Sequence, residues 1–302
     1  MKRNLISFGA LLLCLCMMMG IAQYAYAEGN SPVAENLELK TYRGVTVSGQ
    51  LNAYDPDGDL VDFTITTKPV KGKIELNDDG SFTYTPADGK KGRDYFGYKA
   101  VDALGNTSQE ATVIIKIEKQ SKPVFYTDMK GRGEEYAAVL LSERDIFTGE
   151  QIGGKYCFMP EKEVSRGEFL SLCMLVSGKP VVMSGGTTGL IDDMEIPAYA
   201  RNYVSSAVMC GIYADEANAG LPFDAEEKIS KREAALLLDN AMGLTNASYM
   251  VSEDGIYSEV VQACMNLDAC DIMHIDPQED SRLTRSEMAI MLSGAIEILS
   301  RR

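Results

Sequence analysis

Three short segments of the sequence share one pattern: a Ser or Thr, a basic residue, any residue, and a Glu. A hydroxyl side chain three residues before a Glu is typical of a helix capping box, in which each side chain binds the other residue's backbone N–H. An apolar stripe with helical spacing follows each Glu, so each segment is predicted to begin an α-helix. The segments are Ser165-Arg166-Gly167-Glu168, Ser230-Lys231-Arg232-Glu233 and Thr284-Arg285-Ser286-Glu287.

The basic residue of each segment, Arg166, Lys231 or Arg285, has no part in a capping box. It takes the first helical position, where the positive end of the helix dipole disfavours a cation by about 0.3 kcal/mol or more. A negative partner is therefore expected at each of these helix ends. One candidate is an external carboxylate or phosphate, because a helix N-terminus beside a cation is suited to anions. The alternative is that these cations pair with nearby acidic side chains of the protein.

A second group of side chains that suggests chemistry is Asp55, Asp57 and Asp59, three carboxylates within five residues around a Gly turn. Carboxylate oxygens at this density are suited to Ca²⁺, and Glu35 or Asp102 would add to the shell. The alternative is a tight turn, in which Asp, Pro and Gly favour the backbone angles required. Apart from this candidate calcium ion, the sequence suggests no cofactor.

The composition excludes several classes of function. With 29 Lys and Arg against 44 Asp and Glu, the net charge of −15 argues against non-specific nucleic-acid binding, which depends on clustered cations. His274 is the only histidine, so Ser/His and Cys/His catalysis and His-based zinc sites have at most one place to form.

The first 27 residues have the pattern of a cleaved secretion signal. Lys2 and Arg3 precede an apolar run over 8–22, and Ala25-Tyr26-Ala27 offers a site for signal peptidase. The run is shorter than the roughly 20 residues that span a bilayer, which argues against an uncleaved anchor. We therefore expect a signal peptide at 1–27, an exported protein, and no transmembrane segment in the mature chain.

The hydrophobic period divides the rest of the chain in two. Over 32–119 apolar and polar residues alternate between turns, which predicts an all-β antiparallel sandwich. The polar stretch 120–124 is the predicted linker. After it the period becomes helical, and a unit of helix, loop and capped helix occurs three times, with the capped helices 65 and 54 residues apart. The predicted repeats are 125–180, 188–245 and 247–302.

The repeated half resembles three consecutive S-layer homology domains, modules that hold exported bacterial proteins on the cell-wall surface. The resemblance rests on the three Ser/Thr-basic-x-Glu segments, the Gly211-Ile212 turn, and the opening triplets Tyr126-Thr127-Asp128 and Leu190-Ile191-Asp192. It implies an all-α, pseudo-threefold helical bundle that binds an anionic secondary cell-wall polysaccharide, pyruvylated in many relatives. The binding residues that it implies are Arg166, Lys231, Arg285, Asp128, Asp192 and Tyr199, the last replacing the family's usual Trp.

The first half resembles the bacterial Ig-like or cadherin-like repeat of secreted and surface proteins. The motifs that carry this resemblance span nearly all of 32–119, and they include Asp55-Pro56-Asp57-Gly58-Asp59, Asp79-Gly80-Ser81-Phe82 and Val101-Asp102-Ala103-Leu104-Gly105-Asn106. Together the two halves lead us to expect a non-enzymatic surface protein, in which the helical module binds the wall and displays the sandwich. Two alternatives stay open: a calcium-dependent adhesin whose sandwich is the binding module, and a hydrolase that uses two carboxylates.

Overall fold

A computed structural model of the chain describes residues 29–183, 187–213, 222–244 and 259–301. The signal peptide predicted at 1–27 lies outside the described residues, as does the start of the third predicted repeat. Within the described ranges the chain forms a β-sandwich followed by six helices and one small hairpin.

Between residues 29 and 119 the chain forms two main sheets and one short strand pair. The strands are β1 (Val33–Ala34), β2 (Leu37–Tyr42), β3 (Val47–Gln50), β4 (Ala53–Tyr54), β5 (Val61–Thr67), β6 (Gly72–Leu76), β7 (Ser81–Pro86), β8 (Gly92–Asp102) and β9 (Ala111–Glu118). One sheet has the order β2-β9-β8-β5, the other β3-β7-β6, and β1 pairs with β4. Strands β2 and β9 run parallel, with Leu37 opposite Val113, and the remaining pairs of these sheets are antiparallel.

The sandwich core follows the alternation that the sequence predicts. In β9 every second side chain, from Ala111 to Ile117, is buried between the sheets. Phe82 and Phe96 meet edge to face across the core, with ring centroids 5.2 Å apart. Such aromatic pairs contribute about 0.5–1.5 kcal/mol beyond the area that they bury. The predicted all-β sandwich is confirmed, with one correction: β2 and β9 pair in parallel, where antiparallel pairing was expected.

The second part of the described chain contains one short 3-10 helix, Asp193–Glu195, and six α-helices. They are α1 (Glu135–Glu143), α2 (Arg166–Ser177), α3 (Ala198–Met209), α4 (Lys231–Met242), α5 (Glu259–Ala269) and α6 (Arg285–Leu299). Of the helices in the described ranges, none is both long enough and apolar enough to cross a membrane.

The expectation that this second part is all-α needs one correction. Between α1 and α2 the chain forms an antiparallel hairpin, β10 (Glu150–Ile152) and β11 (Lys155–Cys157). Gly153 and Gly154 at its turn both have positive φ, a backbone conformation that glycine adopts without a steric penalty. The other two repeats have no such glycine pair at this place, so the repeat pattern did not predict a hairpin.

The helices pack so that each repeat is joined to the next. Helix α2 packs on α3, α4 packs on α5, and α6 returns to pack on α1. Helix α2 also contacts α4 and α6, and one continuous hydrophobic core runs through the helical part. The first and last helices are therefore neighbours, and the helical part closes on itself.

Backbone hydrogen bonds close the same ring at the loops before α2, α4 and α6. The N–H of Val164 donates to the Leu283 carbonyl, that of Leu283 to the Ile229 carbonyl, and that of Ile229 to the Val164 carbonyl, each at 3.0 Å. All three side chains are fully buried. Each bond joins a different pair of repeats, so a repeat leaves this ring only by breaking two of them.

The sandwich is packed directly against the helical part. Tyr42 and Val45 at the end of β2 belong to the helical core, and Gln120 and Val124 of the predicted linker are buried. The carboxylate of Glu143 in α1 accepts hydrogen bonds from the backbone N–H groups of Ser121 and Lys122 in this linker, at 2.6 and 3.1 Å. The segment 120–124 thus connects the two parts as a packed junction.

Candidate functional site

The Ser/Thr-x-x-Glu segments form the helix caps that their spacing predicts. The hydroxyls of Ser165, Ser230 and Thr284 accept from the backbone N–H of Glu168, Glu233 and Glu287, at 3.3, 3.3 and 3.4 Å. In the second and third segments the Glu also accepts from the backbone N–H of the cap, at 3.1 and 2.9 Å, which completes the box. Caps of this kind stabilise a helix by about 1 kcal/mol.

The basic residue of each segment binds the capping Glu of another repeat. This is the alternative in which the cations pair with acidic side chains of the protein. The cations of the first and second repeats pair with the Glu of the following repeat, and the cation of the third repeat pairs with the Glu of the first. The three pairs therefore form a closed ring. They are Arg166 with Glu233 at 3.1 Å, Lys231 with Glu287 at 2.7 Å, and Arg285 with Glu168 at 3.7 Å.

The N-termini of these helices are not free, contrary to the sequence-based argument for an anion site there. The N–H groups of Arg166 and Gly167 donate to the carbonyls of Glu227 and Ala225 in the next repeat's loop, both at 2.8 Å. The other two helices repeat the contact, with Lys231 N–H to Ser281 O at 2.9 Å and Arg285 N–H to Lys162 O at 2.9 Å. An anion would have to displace these bonds, so the helix dipole alone offers it no site.

The three cations differ in exposure. The side chains of Arg166, Lys231 and Arg285 are 15%, 24% and 6% exposed. Arg285 is the most enclosed, because Glu150 of the hairpin contacts its guanidinium at 3.1 Å and the ring of Phe147 lies 5.0 Å away. A ligand therefore meets three different surroundings at these positions.

Asp128 and Asp192, the two aspartates predicted to bind the polysaccharide, instead hold loops of the protein in place. Asp128 accepts hydrogen bonds from the N–H groups of Phe158 and Met159, at 2.9 and 2.7 Å. Asp192 makes the same pair of bonds to Phe223 and Asp224, both at 2.9 Å. The second residue of each pair has a positive φ, so the carboxylate holds a loop in a conformation that is unfavourable for a non-glycine residue.

Tyr199, at the start of α3, is 51% exposed. Its hydroxyl donates to Glu226 at 3.2 Å, and it lies beside Gly167 at the interface of α2 and α3. Around this interface a cleft of about 420 Å³ is lined by Asp192, Glu195, Asp224 and other acidic residues. An anionic ligand is repelled from this cleft.

A second cleft, of about 350 Å³, lies at the interface of α4 and α5 and contains three guanidinium groups and three carboxylates. Arg166, Arg232 and Arg282 are paired there with Glu233, Asp280 and Glu227, at 3.1, 3.6 and 2.9 Å. The sequence did not predict Arg232 and Arg282 as binding residues, because neither position carries a basic residue in all three segments. Lys231, which was predicted, points to Glu287 and does not line this cleft.

The acidic loops of the sandwich adopt the hydrogen bonding of tight turns. Asp55 Oδ1 accepts from the Asp57 N–H at 2.8 Å, and Asp102 Oδ1 accepts from the N–H groups of Leu104 and Asn106 at 2.9 and 2.7 Å. Burial acts to raise the pKa of Asp102, but hydrogen bonds from the Asn106 side chain and from these N–H groups hold it below its ordinary value. Asp55 Oδ2 is buried and without a hydrogen-bond partner in the described chain.

The four carboxylates predicted to hold calcium are Asp55, Asp57, Asp59 and Asp102. Over the part of the chain that the structure describes, no three His, Cys, Asp or Glu side chains come together as a metal-binding group. The hydrogen bonding follows the turn alternative, and the unpartnered Asp55 oxygen is the feature that would suit a cation. Calcium binding stays a prediction.

The comparison with protein families identifies the β-sandwich. Residues 30–119 match the bacterial cadherin-like domain. They form a bacterial cadherin-like domain. Such a domain fits an extracellular surface protein. A search of curated proteins finds no match to the chain.

Three solved structures with likeness to the chain each cover about a third of it and share little sequence. The SrpA adhesin from Streptococcus sanguinis is 19% identical over 33% of this chain and 66% of its own, with a TM-score of 0.26. An endo-fucoidan hydrolase of glycoside hydrolase family 107 is 20% identical over 31% of this chain and 14% of its own, at 0.25. The D00-D0 domain of intimin is 17% identical over 31% and 50%, at 0.23.

Lys231→Ala should destabilise the protein near neutral pH. It removes a partly buried ion pair and leaves the cap of α6 without its cation, at a cost of about 1–3 kcal/mol in unfolding free energy. Burial acts to raise the pKa of Glu287, but Lys231 and Thr284 hold it below the ordinary value. The stabilisation is therefore present above the ordinary glutamate pKa and is lost as the pH falls through the lowered one.

Urea unfolding of the parent and of Lys231→Ala, at neutral and at acidic pH, measures this loss of unfolding free energy. Lys155→Ala, which removes an exposed cation of the hairpin, is the matched control and should be near neutral. Equal stability of Lys231→Ala and the parent at neutral pH would contradict a stabilising ion-pair ring.

If the cadherin-like domain binds calcium, the protein should melt higher in calcium than in EDTA. A ligand at 100 times its Kd adds about 2.7 kcal/mol to the stability of the folded state. Asp55→Asn should remove the difference, since it neutralises the carboxylate with the unpartnered oxygen. Identical melting of the parent in calcium and EDTA would leave the tight-turn alternative.

Proposed function

We propose that the helical part is an anchoring module of the S-layer homology type, that it binds an anionic cell-wall polysaccharide, and that it holds the cadherin-like domain at the cell surface. The role is one of binding, with no catalytic step. It includes export through the signal peptide predicted at 1–27.

One observation carries the proposal: the three motif-bearing repeats close into a ring through equivalent contacts. The backbone ring of Val164, Leu283 and Ile229 and the ring of cation–Glu pairs both pass once through each repeat. Three separate matches to one short motif thus occupy corresponding places in the fold. This closure supports the pseudo-threefold bundle that the resemblance to S-layer homology domains implies.

We assign the anionic group of the polymer to the α4–α5 cleft, because three guanidinium groups meet there. Each is paired with a carboxylate of the same cleft, so the anion would compete with these internal partners, and Arg232 and Arg282 keep side chains that are 34% and 45% exposed. Guanidinium groups bind carboxylates and phosphates through paired, charge-assisted hydrogen bonds. Tyr199 offers an exposed ring to the apolar face of a sugar at the neighbouring interface.

The exposed loops of the cadherin-like domain favour a second candidate function, adhesion. Tyr54, Leu60 and Leu104 are all more than half exposed, and they belong to or adjoin the acidic loops at the end of the sandwich away from the helices. An exposed apolar group on a surface domain suits a binding partner. In this account the helical part is the anchor and the cadherin-like domain is the adhesive element.

Sedimentation with purified wall sacculi tests the anchoring. The parent should sediment with sacculi that keep their secondary polymers and stay in solution after those polymers are stripped. Arg232→Ser/Arg282→Ser should weaken binding at least about tenfold, because the loss of a charge-assisted contact costs roughly 1.5–3 kcal/mol.

Arg93→Ser/Lys155→Ser removes two exposed cations away from the cleft and serves as the matched control. It should bind like the parent, and melting curves should show that both variants are folded. Equal sedimentation of the parent with intact and stripped sacculi would overturn the proposal.

A further inference from the structure

Glu135, the first residue of α1, is buried between the helical part and the sandwich. Only 7% of the residue is exposed. Its Oε2 accepts hydrogen bonds from two backbone N–H groups, that of Thr46 in the sandwich and that of Gly131 in the loop before α1, both at 3.0 Å. One carboxylate oxygen therefore links the sandwich to the helical part.

The surrounding contacts make this link part of the docking of the sandwich on α1. The Tyr136 N–H donates to the Thr46 carbonyl at 3.1 Å, and the ring centroids of Tyr42 and Tyr136 are 5.8 Å apart. Thr46 is buried as well, and its hydroxyl lies 3.1 Å from that of Thr85. Thr46 and Glu135 can separate only when the sandwich moves away from α1.

The helical part supplies little positive charge to the Glu135 carboxylate. Lys130, in the loop before α1, acts on it, but less than burial and the hydrogen bonds do. The neighbouring Glu134 is paired with Arg132 at 3.5 Å. Glu297 of α6 accepts a hydrogen bond from the Tyr136 hydroxyl at 3.3 Å. Within the described ranges, Glu135 forms no ion pair.

The sandwich adds three charged residues near this place. The turn 43–46, which contains Thr46, carries Arg43. Glu38 and Lys40 of β2 line a cleft of about 340 Å³ between the sandwich and the helices, and Glu134 and Tyr136 line the same cleft. Solvent in this cleft thus reaches the residues on both sides of Glu135 in the sequence.

Burial raises the pKa of Glu135 above its ordinary value, because the ionised carboxylate loses its contact with water. Hydrogen bonds from Thr46 and Gly131 and the charge of Lys130 act in the opposite direction but do not cancel this effect. When the sandwich moves away, the carboxylate meets water at the N-terminus of α1, where the helix dipole favours the ionised form. The docked state therefore binds a proton more tightly than the undocked state.

The geometry accommodates that proton. Both N–H groups bind Oε2, so a proton on Oε1 leaves the two hydrogen bonds intact. The tyrosines of the contact do not compete for the titration, because burial raises the pKa of Tyr42 and of Tyr136 above the ordinary tyrosine value.

We propose that Glu135 couples the docking of the cadherin-like domain to pH: uptake of one proton on its carboxylate strengthens the contact between the sandwich and α1, and loss of that proton weakens it. The strengthening is complete below the ordinary glutamate pKa and is lost as the pH rises through the raised one. This dependence is opposite to that of Glu287, whose pKa is lowered. The proposal concerns how firmly the displayed domain is held, and it does not depend on any ligand.

Hydrogen exchange at the Thr46 and Tyr136 amides measures the docking, because both N–H groups bond across the contact. The protein is compared with Glu135→Gln between mildly acidic and mildly alkaline pH. The glutamine is neutral and keeps an oxygen for both N–H groups, and the ratio of the two opening constants cancels the titration of all other groups. Glu297→Gln is the matched control, since it neutralises a carboxylate of the same contact that binds Tyr136 instead.

The opening constant of the parent relative to Glu135→Gln should increase with pH, by about tenfold for each unit by which docking raises the pKa. Glu297→Gln should keep the pH dependence of the parent. Carbon-13 NMR of the parent should show the Glu135 carboxyl titrating above the ordinary glutamate value, which tests the proposal even when Glu135→Gln does not fold. A ratio that stays constant or falls as the pH rises, or a Glu135 titration at or below the ordinary value, would overturn the proposal.

Discussion

The contacts between repeats at the start of each capped helix are the constraint on which the helical part depends. At each of these places a backbone N–H, a buried apolar side chain and a cation all reach into a neighbouring repeat. A single helix pair of this size buries too little apolar surface to be stable alone. Closing the ring gives every pair two neighbours, and the continuous core follows from that closure.

This constraint explains why a cation stands where the helix dipole disfavours it. The Glu of a capping box already compensates the dipole of its own helix, and one of its oxygens stays available to a partner. Lys231 takes that oxygen on Glu287 while Thr284 holds the other, so one carboxylate serves a cap and an interface together. The same short motif thus stabilises its own helix and joins it to the next repeat.

Local rules were sufficient for the sandwich and the caps, because alternation and the Ser/Thr-x-x-Glu spacing act within a few residues. The partners of Arg166, Lys231 and Arg285 lie in other repeats, and only the closed fold brings them within reach. The packing of Tyr42 on Tyr136 could not be predicted from the sequence for a similar reason. Tyr42 fits the strand pattern equally well whether its ring faces solvent or a helix. Neither Arg232 nor Arg282 has a basic counterpart in all three repeats, so a comparison of repeats did not predict two of the three guanidinium groups in the α4–α5 cleft.

Because the ring joins all three repeats, we expect them to unfold together. Native-state hydrogen exchange measures this most directly. The amides of Val164, Ile229 and Leu283 should exchange with one opening free energy, equal to that of global unfolding, because each donates to another repeat. Lys231→Ala should lower that free energy equally at all three amides. Three different opening free energies, or a loss confined to Ile229 and Leu283, would contradict a closed and cooperative ring.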